Sequence, residues 1–258
     1  DRKVHYRYAK SLKGPWTKPA NDIFDGIAFY AGKTMSNGTE RYLAGWCPTR
    51  IGDGDEDQWG GSLVCHRMLF NADGTIDLKL PDGIDKKFTT LKKTVLIDKS
   101  GKAVKKEDSY VLSDVASVSF PRLDKTCKIE ATVKATGNDD AFGFAFGACD
   151  DKTEVYSIRF DLKNKQLVMS KDDLTRGTTP TQTNVALTVP ADKLFKVKIV
   201  AEKSVCVMYV NDKIKAISFY EKSVDLDFEY VTSFRRIGNY YLKKDKRKAY
   251  NFLEKAVA

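Results

Sequence analysis

The sequence is poor in histidine, and its cysteines show no pairing pattern. Of its 258 residues only His5 and His66 are histidine, so a metal or catalytic site built from several imidazoles is not expected. The five cysteines are widely spaced, odd in number and without a C-x-x-C pair, which argues against a disulfide framework and a zinc site. We therefore expect no metal ion and no cofactor, and structural roles for both histidines.

Long hydrophobic runs are also missing. No stretch approaches the roughly 18 apolar residues of a membrane-spanning helix. The opening residues, DRKVHYRYAK, lack the apolar segment of a signal peptide. Because the first residue is not methionine, we interpret the chain as a fragment or a processed product. A targeting signal upstream is compatible with that interpretation, so the sequence leaves the localisation undetermined.

The net charge of +9 is concentrated near the C-terminus. Residues 235–258 carry a cluster of Lys and Arg, and over 240–258 the apolar residues Leu242, Ala249, Leu253 and Val257 fall near one helical face. We predict a basic helical tail with a solvated charged side, and neither a nucleic-acid nor a membrane partner. A helix that contacts nucleic acid or a partner protein is the alternative.

The rest of the chain has the sequence pattern of an all-β protein. Residues 1–80 read as strands separated by polar turns, and Ser36-Asn37-Gly38-Thr39 predicts a hairpin with a type I′ turn. Residues 81–108 are rich in Lys and Asp and read as a connection, with one short strand near Leu91–Ile97. Residues 109–234 alternate with period two, as in two packed antiparallel sheets. In this part Phe142, Phe144 and Phe146 share one face, and Asn211-Asp212 predicts a two-residue turn.

A series of motifs within residues 6–81 resembles a known enzyme family. These are YRYAKSLKGPW (6–16), FDGIAFYAGKT (24–34), RYLAGWCPTR (41–50), WGGSLVCHRM (59–68) and DGTIDLKLP (73–81). Their order and spacing resemble the last part of the five-bladed β-propeller of glycoside hydrolase family 32, which cleaves fructosyl linkages. The resemblance implies the end of that propeller in 1–80 and a concanavalin-like β-sandwich in 109–234. The short C-terminal helix predicted after the sandwich departs from the family's pattern.

Three family motifs are missing from the sequence. The resemblance implies a nucleophile in Asn-Asp-Pro, a transition-state stabiliser in Arg-Asp-Pro and an acid/base in Glu-Cys, and none of these occurs here. In the family all three lie in earlier blades. The catalytic residues are therefore expected outside this chain.

The residues expected to contact sugar are Asp25, Tyr30 and Trp46. An Asp accepts hydrogen bonds from sugar hydroxyl groups, and an indole face stacks on the C–H surface of a sugar. The alternative is packing between blades, which is the favoured interpretation for Tyr30. Two cations, Lys33 and Arg50, are plausible at the rim of the site.

Two further groups of polar residues are weaker candidates. The acidic loop from Asp53 to Asp57 does not fit a calcium loop, since Gln58 and Val64 replace the required Gly and Glu. We interpret it as solvated, with the mouth of an active-site funnel as the alternative. On one strand of the sandwich lie Tyr156, Arg159 and Asp161, for which a structural role against the propeller is favoured over sugar binding.

The leading hypothesis is part of a hydrolase that acts on sucrose, levan or inulin. Its expected partners are a fructose-containing saccharide and the upstream propeller blades of the same or another chain. Self-association is a further expectation, because a propeller cut partway through exposes blade faces with aromatic residues such as Phe29. The rival hypothesis is a non-catalytic carbohydrate-binding β-sandwich.

The isolated chain should release no fructose from sucrose, inulin or levan. Loss of the nucleophile or the acid removes most of the rate enhancement of a glycosidase. Reducing-sugar release by the purified chain, compared with a mock purification from the same host, tests this. Robust turnover above the mock would contradict the assignment of the catalytic groups to other parts of the protein.

Overall fold

A computed structural model describes most of the chain. The described residues are 3–24, 29–49, 58–92, 95–121, 123–124, 126–138, 140–146, 154–173, 178–202 and 205–214. The predicted helical tail (235–258), the loop Asp53–Asp57, Asp25 and Arg50 lie outside them. Within the described residues no helix is long and apolar enough to cross a membrane.

The first sheet is an antiparallel meander of four strands. It is formed by β1 (Tyr30–Ser36), β2 (Arg41–Thr49), β3 (Gln58–Phe70) and β4 (Ile76–Lys79), paired in chain order. The predicted hairpin at Asn37-Gly38 is confirmed, but its turn is not type I′. Ser36 pairs with Arg41 across a four-residue loop in which Gly38 takes a positive φ of 99°, and the Asn37 side chain accepts hydrogen bonds from two backbone N–H groups of that loop.

Residues 3–24 lie along the first sheet without forming a named strand. They pair with each other at the bridges His5–Ile23 and Tyr8–Thr17. The buried carboxylate of Asp22 forms ion pairs with His5 at 2.9 Å and with Arg7. The His5 hydrogen bond, helped by Arg7 and Lys18 and opposed by burial, lowers the pKa of Asp22 to about 2.

Two further four-stranded sheets form a β-sandwich. One has the order β14 (Lys213–Ile214), β13 (Val205–Val210), β12 (Leu194–Glu202) and β7 (Thr126–Lys134). The other has the order β11 (Thr178–Ala186), β10 (Gln166–Asp173), β9 (Glu154–Asp161) and β8 (Ala141–Phe146). All their named pairings are antiparallel.

The core of the sandwich follows the predicted alternation. The three phenylalanines of β8 lie on one face and pack against the core. The ring of Phe142 stacks on that of Phe160 at 4.6 Å, and Phe195 meets Phe160 at 5.4 Å. Phe160 and Phe195 are completely buried. The predicted turn at Asn211-Asp212 is confirmed, since both residues have a positive φ, as a type I′ turn requires.

Residues 81–124 differ from the sequence expectation. Residues 91–92 and 95–97, the described part of the strand expected near Leu91–Ile97, are in no strand. The segment contains instead a short helix, α1 (Asp82–Asp85), and a long hairpin of β5 (Asp98–Lys106) and β6 (Ser109–Ser119). In β5, lysines flank Ala103 and Val104, and most of the strand is exposed. The sequence therefore gives little indication of this hairpin. An exposed strand gives no periodic burial signal.

Strand β13 is buried on both faces. Cys206, Met208 and Val210 point into the sandwich core, while the alternate residues of β13 belong to a second core that contains Phe29, Leu43 and other residues of the first sheet. The sheet that contains β13 is therefore a middle layer. The first sheet covers one side of it, and the β8–β11 sheet covers the other.

Ion pairs also join the first sheet and α1 to the middle layer. Asp85 of α1 lies 2.5 Å from Lys128 and 3.5 Å from Lys198, on two strands of the middle layer. The Lys128 ammonium, together with Lys198, lowers the pKa of Asp85 despite the cost of burial. Lys213 reaches Asp77 of the first sheet at 2.6 Å. Helix α1 thus joins the first sheet to the sandwich electrostatically as well as through the chain.

The all-β prediction and the sandwich are confirmed. The described sheets form no closed ring, and the end of a five-bladed propeller stays a prediction for residues 1–80. The division of the chain at residues 80, 108 and 234 stays a prediction.

Met208→Ala should destabilise the protein by about 2–5 kcal/mol, the usual cost of a cavity in a packed core. Its side chain is completely buried in the sandwich. Urea denaturation followed by circular dichroism measures the change. The matched control is Val104→Ala on β5, where the side chain is 55% exposed and the expected change is within about 0.5 kcal/mol. Equal effects of the two substitutions would contradict the central place of β13.

Candidate functional site

Tyr30 and Trp46 form an aromatic pair on the outer face of the first sheet. They are directly opposite each other on β1 and β2, with ring centroids 5.4 Å apart and planes at 89°. Both side chains are half-buried. The structure therefore brings together two of the three residues predicted to contact sugar, whereas Asp25 lies outside the described residues.

The pair is at one end of the sheet. Tyr30 begins β1, and Trp46 lies near the end of β2. Leu63 of β3 is opposite Trp46 on the same face and is 75% exposed. An edge-to-face aromatic pair beside an exposed aliphatic residue offers the apolar surface on which a sugar ring can stack.

Backbone irregularity sets the orientation of Tyr30. The register between β1 and β2 shifts between Tyr30 and Lys33, and Ala31 has a φ of 52°, so a bulge interrupts the strand immediately after the aromatic residue. Bulges redirect side chains and are frequent beside functional sites. Lys33 then returns to the regular pairing opposite Ala44, on the same outer face, and its side chain is exposed.

A rigid layer lies below the pair. Phe29 is completely buried, and its ring meets the His66 ring at 5.3 Å. His66 Nδ1 is 3.1 Å from the hydroxyl oxygen of Tyr209 on β13. The expectation that Phe29 would be uncovered is therefore wrong, because this residue faces the middle layer. The exposed residues belong to the opposite face of the same sheet.

The candidates on the sandwich are not gathered into one site. Tyr156 shares the inward face of β9 with Ile158, which is completely buried, whereas Arg159 points outward and is exposed. The Asp161 carboxylate accepts hydrogen bonds from the backbone and side chain of Asn164. These bonds lower the pKa of Asp161 and assign the carboxylate to the β9–β10 turn.

Sequence reasoning missed the contribution of Leu63 to the outer face. The alternation of side chains along a strand places Leu63 on the other face of β3 from the buried Val64. The exposure of Leu63 beside Trp46 follows only when the pairing of β2 with β3 is known. His66 was expected to be structural, and its complete burial with a partner 143 residues away agrees with that expectation.

Other reactive groups in the described chain do not form a site. No cluster of His, Cys, Asp and Glu among the described residues has the arrangement of a metal centre. Cys206 is buried in the sandwich core, and burial raises the pKa of its thiol to about 12. A thiol held in its protonated form is a poor nucleophile.

Gly45→Ala should disturb the aromatic pair. A Cβ at this position would lie 2.6 Å from the Phe29 ring and 2.9 Å from the Tyr30 carbonyl oxygen, so we expect a loss of about 1–3 kcal/mol from overpacking and a shifted indole NMR signal of Trp46. The control is Gly83→Ala in α1, where a Cβ would meet no atom within 4 Å. An unshifted Trp46 signal and unchanged stability in Gly45→Ala would refute this packing.

The fold and the sequence match known proteins. The family described as "GH32, BT1760-like, C-terminal domain" matches residues 74–226. The chain is similar to the exo-inulinase from Aspergillus awamori, with 12% identity and a TM-score of 0.57 over 86% of this chain and 46% of that one. It is also similar to the fructosyltransferase from A. japonicus, with 12% identity and a TM-score of 0.48 over 84% of this chain and 43% of that one.

These comparisons differ in what they show. The structural likeness to the exo-inulinase shows a shared fold, and this chain spans less than half of that protein. No curated protein matches the sequence significantly. The family match covers more than half of the 258 residues. The chain therefore belongs to glycoside hydrolase family 32, in which it corresponds to the C-terminal part with the BT1760-like C-terminal domain.

Proposed function

We propose that this chain is the C-terminal part of a glycoside hydrolase that cleaves fructosyl linkages of the sucrose, levan or inulin type. The nucleophile and the acid lie outside the chain, in upstream blades. The first sheet contributes binding surface, and the sandwich supports that sheet from behind. Family membership supports the reaction class, and the exo-inulinase and the fructosyltransferase among the structural neighbours agree with a fructosyl substrate.

The observation that carries the proposal is the outward-facing aromatic pair. Tyr30 and Trp46 are both half-buried and leave apolar ring surface accessible at one end of the sheet. Stacking on a sugar needs such a surface, and an adjacent carboxylate would orient the hydroxyl groups. We propose Asp25, Tyr30 and Trp46 as the substrate-binding residues of this chain, with Lys33 at the rim.

The outer face of the first sheet also suggests how the upstream blades attach. Met35 is 51% exposed and Leu63 is 75% exposed, although both belong to a regular sheet whose other face is buried. Exposed apolar sheet faces are usually covered by a partner layer. We propose that the preceding blade packs against the Met35 end of this face and leaves the Tyr30–Trp46 end open. It would bring the two catalytic carboxylates to that open end, where a retaining mechanism needs them about 5–5.5 Å apart.

Trp46→Ala should weaken substrate binding in the longer polypeptide that includes the upstream blades. We expect KM for a fructan oligosaccharide to rise about tenfold, which corresponds to ~1.4 kcal/mol, with a smaller change in kcat, because stacking contributes to ground-state and transition-state binding alike. Steady-state kinetics with levan- and inulin-type oligosaccharides measure both constants.

The control for this experiment is Trp16→Ala. Trp16 is 56% exposed and lies in the N-terminal segment, away from the aromatic pair in the sequence and on no named strand. Its removal should leave KM unchanged. If Trp46→Ala has the kinetic constants of the unmodified enzyme, the pair serves packing between blades and the substrate-binding proposal fails.

A further inference from the structure

Asn37 and Gly38 form the only Asn-Gly dipeptide in the sequence. They lie in the exposed loop between β1 and β2, which closes where Ser36 pairs with Arg41. In an Asn-Gly pair the backbone nitrogen of the glycine attacks the side-chain amide of the asparagine more easily than in other pairs, because glycine has no Cβ to obstruct the five-membered ring. The speed of this attack depends on how the folded loop holds the amide and the nitrogen.

The amide oxygen of Asn37 is surrounded by three hydrogen-bond donors. Its Oδ1 accepts the backbone N–H groups of Thr39 at 3.1 Å and Glu40 at 2.8 Å, and it accepts the Thr39 hydroxyl group at 3.1 Å. Attack on the amide carbon moves negative charge onto this oxygen. Fixed donors at that point stabilise the charge in the same way as the oxyanion hole of an acyl-transfer enzyme. The loop therefore favours the tetrahedral intermediate over the ground-state amide.

The amide nitrogen of Asn37, which is the leaving group, has a different partner. Nδ2 donates to the hydroxyl oxygen of Tyr42 at 3.5 Å, and the Tyr42 hydroxyl group in turn donates to the Glu40 carboxylate. Donors thus surround the oxygen of the amide, and an acceptor lies beside its nitrogen. This arrangement fixes the rotation of the amide group, so less entropy is lost when the reaction begins.

The attacking nitrogen of Gly38 also has a defined environment. Gly38 N–H donates to Ser36 Oγ at 3.1 Å, and the Ser36 hydroxyl group donates to the Glu40 carbonyl at 3.0 Å. The Ser36 oxygen thus contacts the proton that must leave before the nitrogen can attack. A Cβ built on Gly38 would meet no atom within 4 Å, so water and hydroxide ion can approach this side of the loop. The positive φ of 99° favours glycine at the position where the ring closes.

We propose that Asn37 is a modification site, which deamidates faster in the folded chain than in the unfolded chain. Gly38 N loses its proton to solvent and forms a bond with the amide carbon of Asn37. The bond between that carbon and Nδ2 breaks, and the nitrogen leaves as ammonia with one proton taken from water. A second water molecule opens the resulting succinimide and gives aspartate or isoaspartate at position 37. The reaction does not depend on the proposed hydrolase activity.

The two products differ from asparagine in charge and in backbone length. Each carries a new negative charge near Glu40, whose carboxylate already forms an ion pair with Arg67 at 2.6 Å. Isoaspartate also adds one methylene group to the main chain between the paired residues Ser36 and Arg41. Both products therefore alter the β1–β2 loop, and isoaspartate also disturbs its closure.

Peptide mass spectrometry of the purified chain, incubated at neutral pH, tests the proposal. The rate of conversion at Asn37 is measured in native buffer and in concentrated guanidinium chloride, where the loop contacts are lost. We expect the native rate to be about tenfold or more above the denatured rate. This is less than the factor of about 10²–10³ for one donor of an enzyme's oxyanion hole, because the loop is open to water. A native rate equal to or below the denatured rate would overturn the proposal.

Other asparagines of the chain serve as internal references. Asn71 and Asn164 precede Ala72 and Lys165, whose side chains obstruct ring closure. Both should react more slowly than Asn37 in native buffer and in denaturant. Native conversion at these two sites as fast as at Asn37 would show that the β1–β2 loop gives no special reactivity, which also contradicts the proposal.

The variant that weakens the site is Thr39→Val, which removes the hydroxyl donor to Oδ1 and keeps both backbone donors. It should slow the native rate about threefold or more, a typical effect of one hydrogen bond, and leave the denatured rate unchanged. The matched control is Thr132→Val at an exposed position of β7, which should change neither rate. Amide NMR signals of residues 34–36 and 41–43 show whether the hairpin is intact. An unchanged native rate in Thr39→Val with an intact hairpin would refute the role of the donors.

Discussion

The burial of β13 on both faces is the constraint on which the rest of the structure depends. Six consecutive residues, Val205–Val210, are all buried, although the strand lies near the end of the described chain. Alternate side chains complete two different cores, one in the sandwich and one against the first sheet. A strand of this kind tolerates no polar residue on either side unless a partner is provided. Tyr209 satisfies this condition because its hydroxyl group meets His66.

This layered arrangement explains how the sandwich and the aromatic pair are related. The sheet that carries Tyr30 and Trp46 is held on its inner face by Phe29, Leu43 and His66, which pack toward β13. Its outer face is left accessible. The sandwich therefore packs against the back of the sheet that carries the candidate site. The positions of Tyr156 and Asp161, one turned inward and one held by Asn164, are consistent with this supporting role.

How much could be predicted from the sequence depends on whether a segment is buried on one face. Strands such as β8 and β12, each half-buried, have a clear period of two, and for β8 the sequence predicts the face that carries its three phenylalanines. Strand β5 is mostly exposed and has no such period, so the sequence assigns it to the connection 81–108, whereas β6 falls in the predicted sandwich although it pairs with β5 in a separate two-stranded sheet. At the site, the family resemblance carried by the order of the motifs identifies Tyr30 and Trp46 as candidates. Their mutual contact depends on the register and the bulge after Tyr30, which arise from pairing between strands and leave no local signal.

The pairing of His66 with Tyr209 also has a consequence for synthesis on the ribosome. The two residues are 143 positions apart, and at 5–20 residues per second the interval between their emergence is roughly 7–30 seconds. During that time the inner face of the first sheet, with Phe29 and Leu43, has no β13 to cover it. The nascent chain must therefore keep an apolar surface soluble until its downstream half arrives. A chaperone that binds exposed β-sheet would therefore bind the nascent chain before β13 is synthesised, and it would no longer bind this face once β13 covers it.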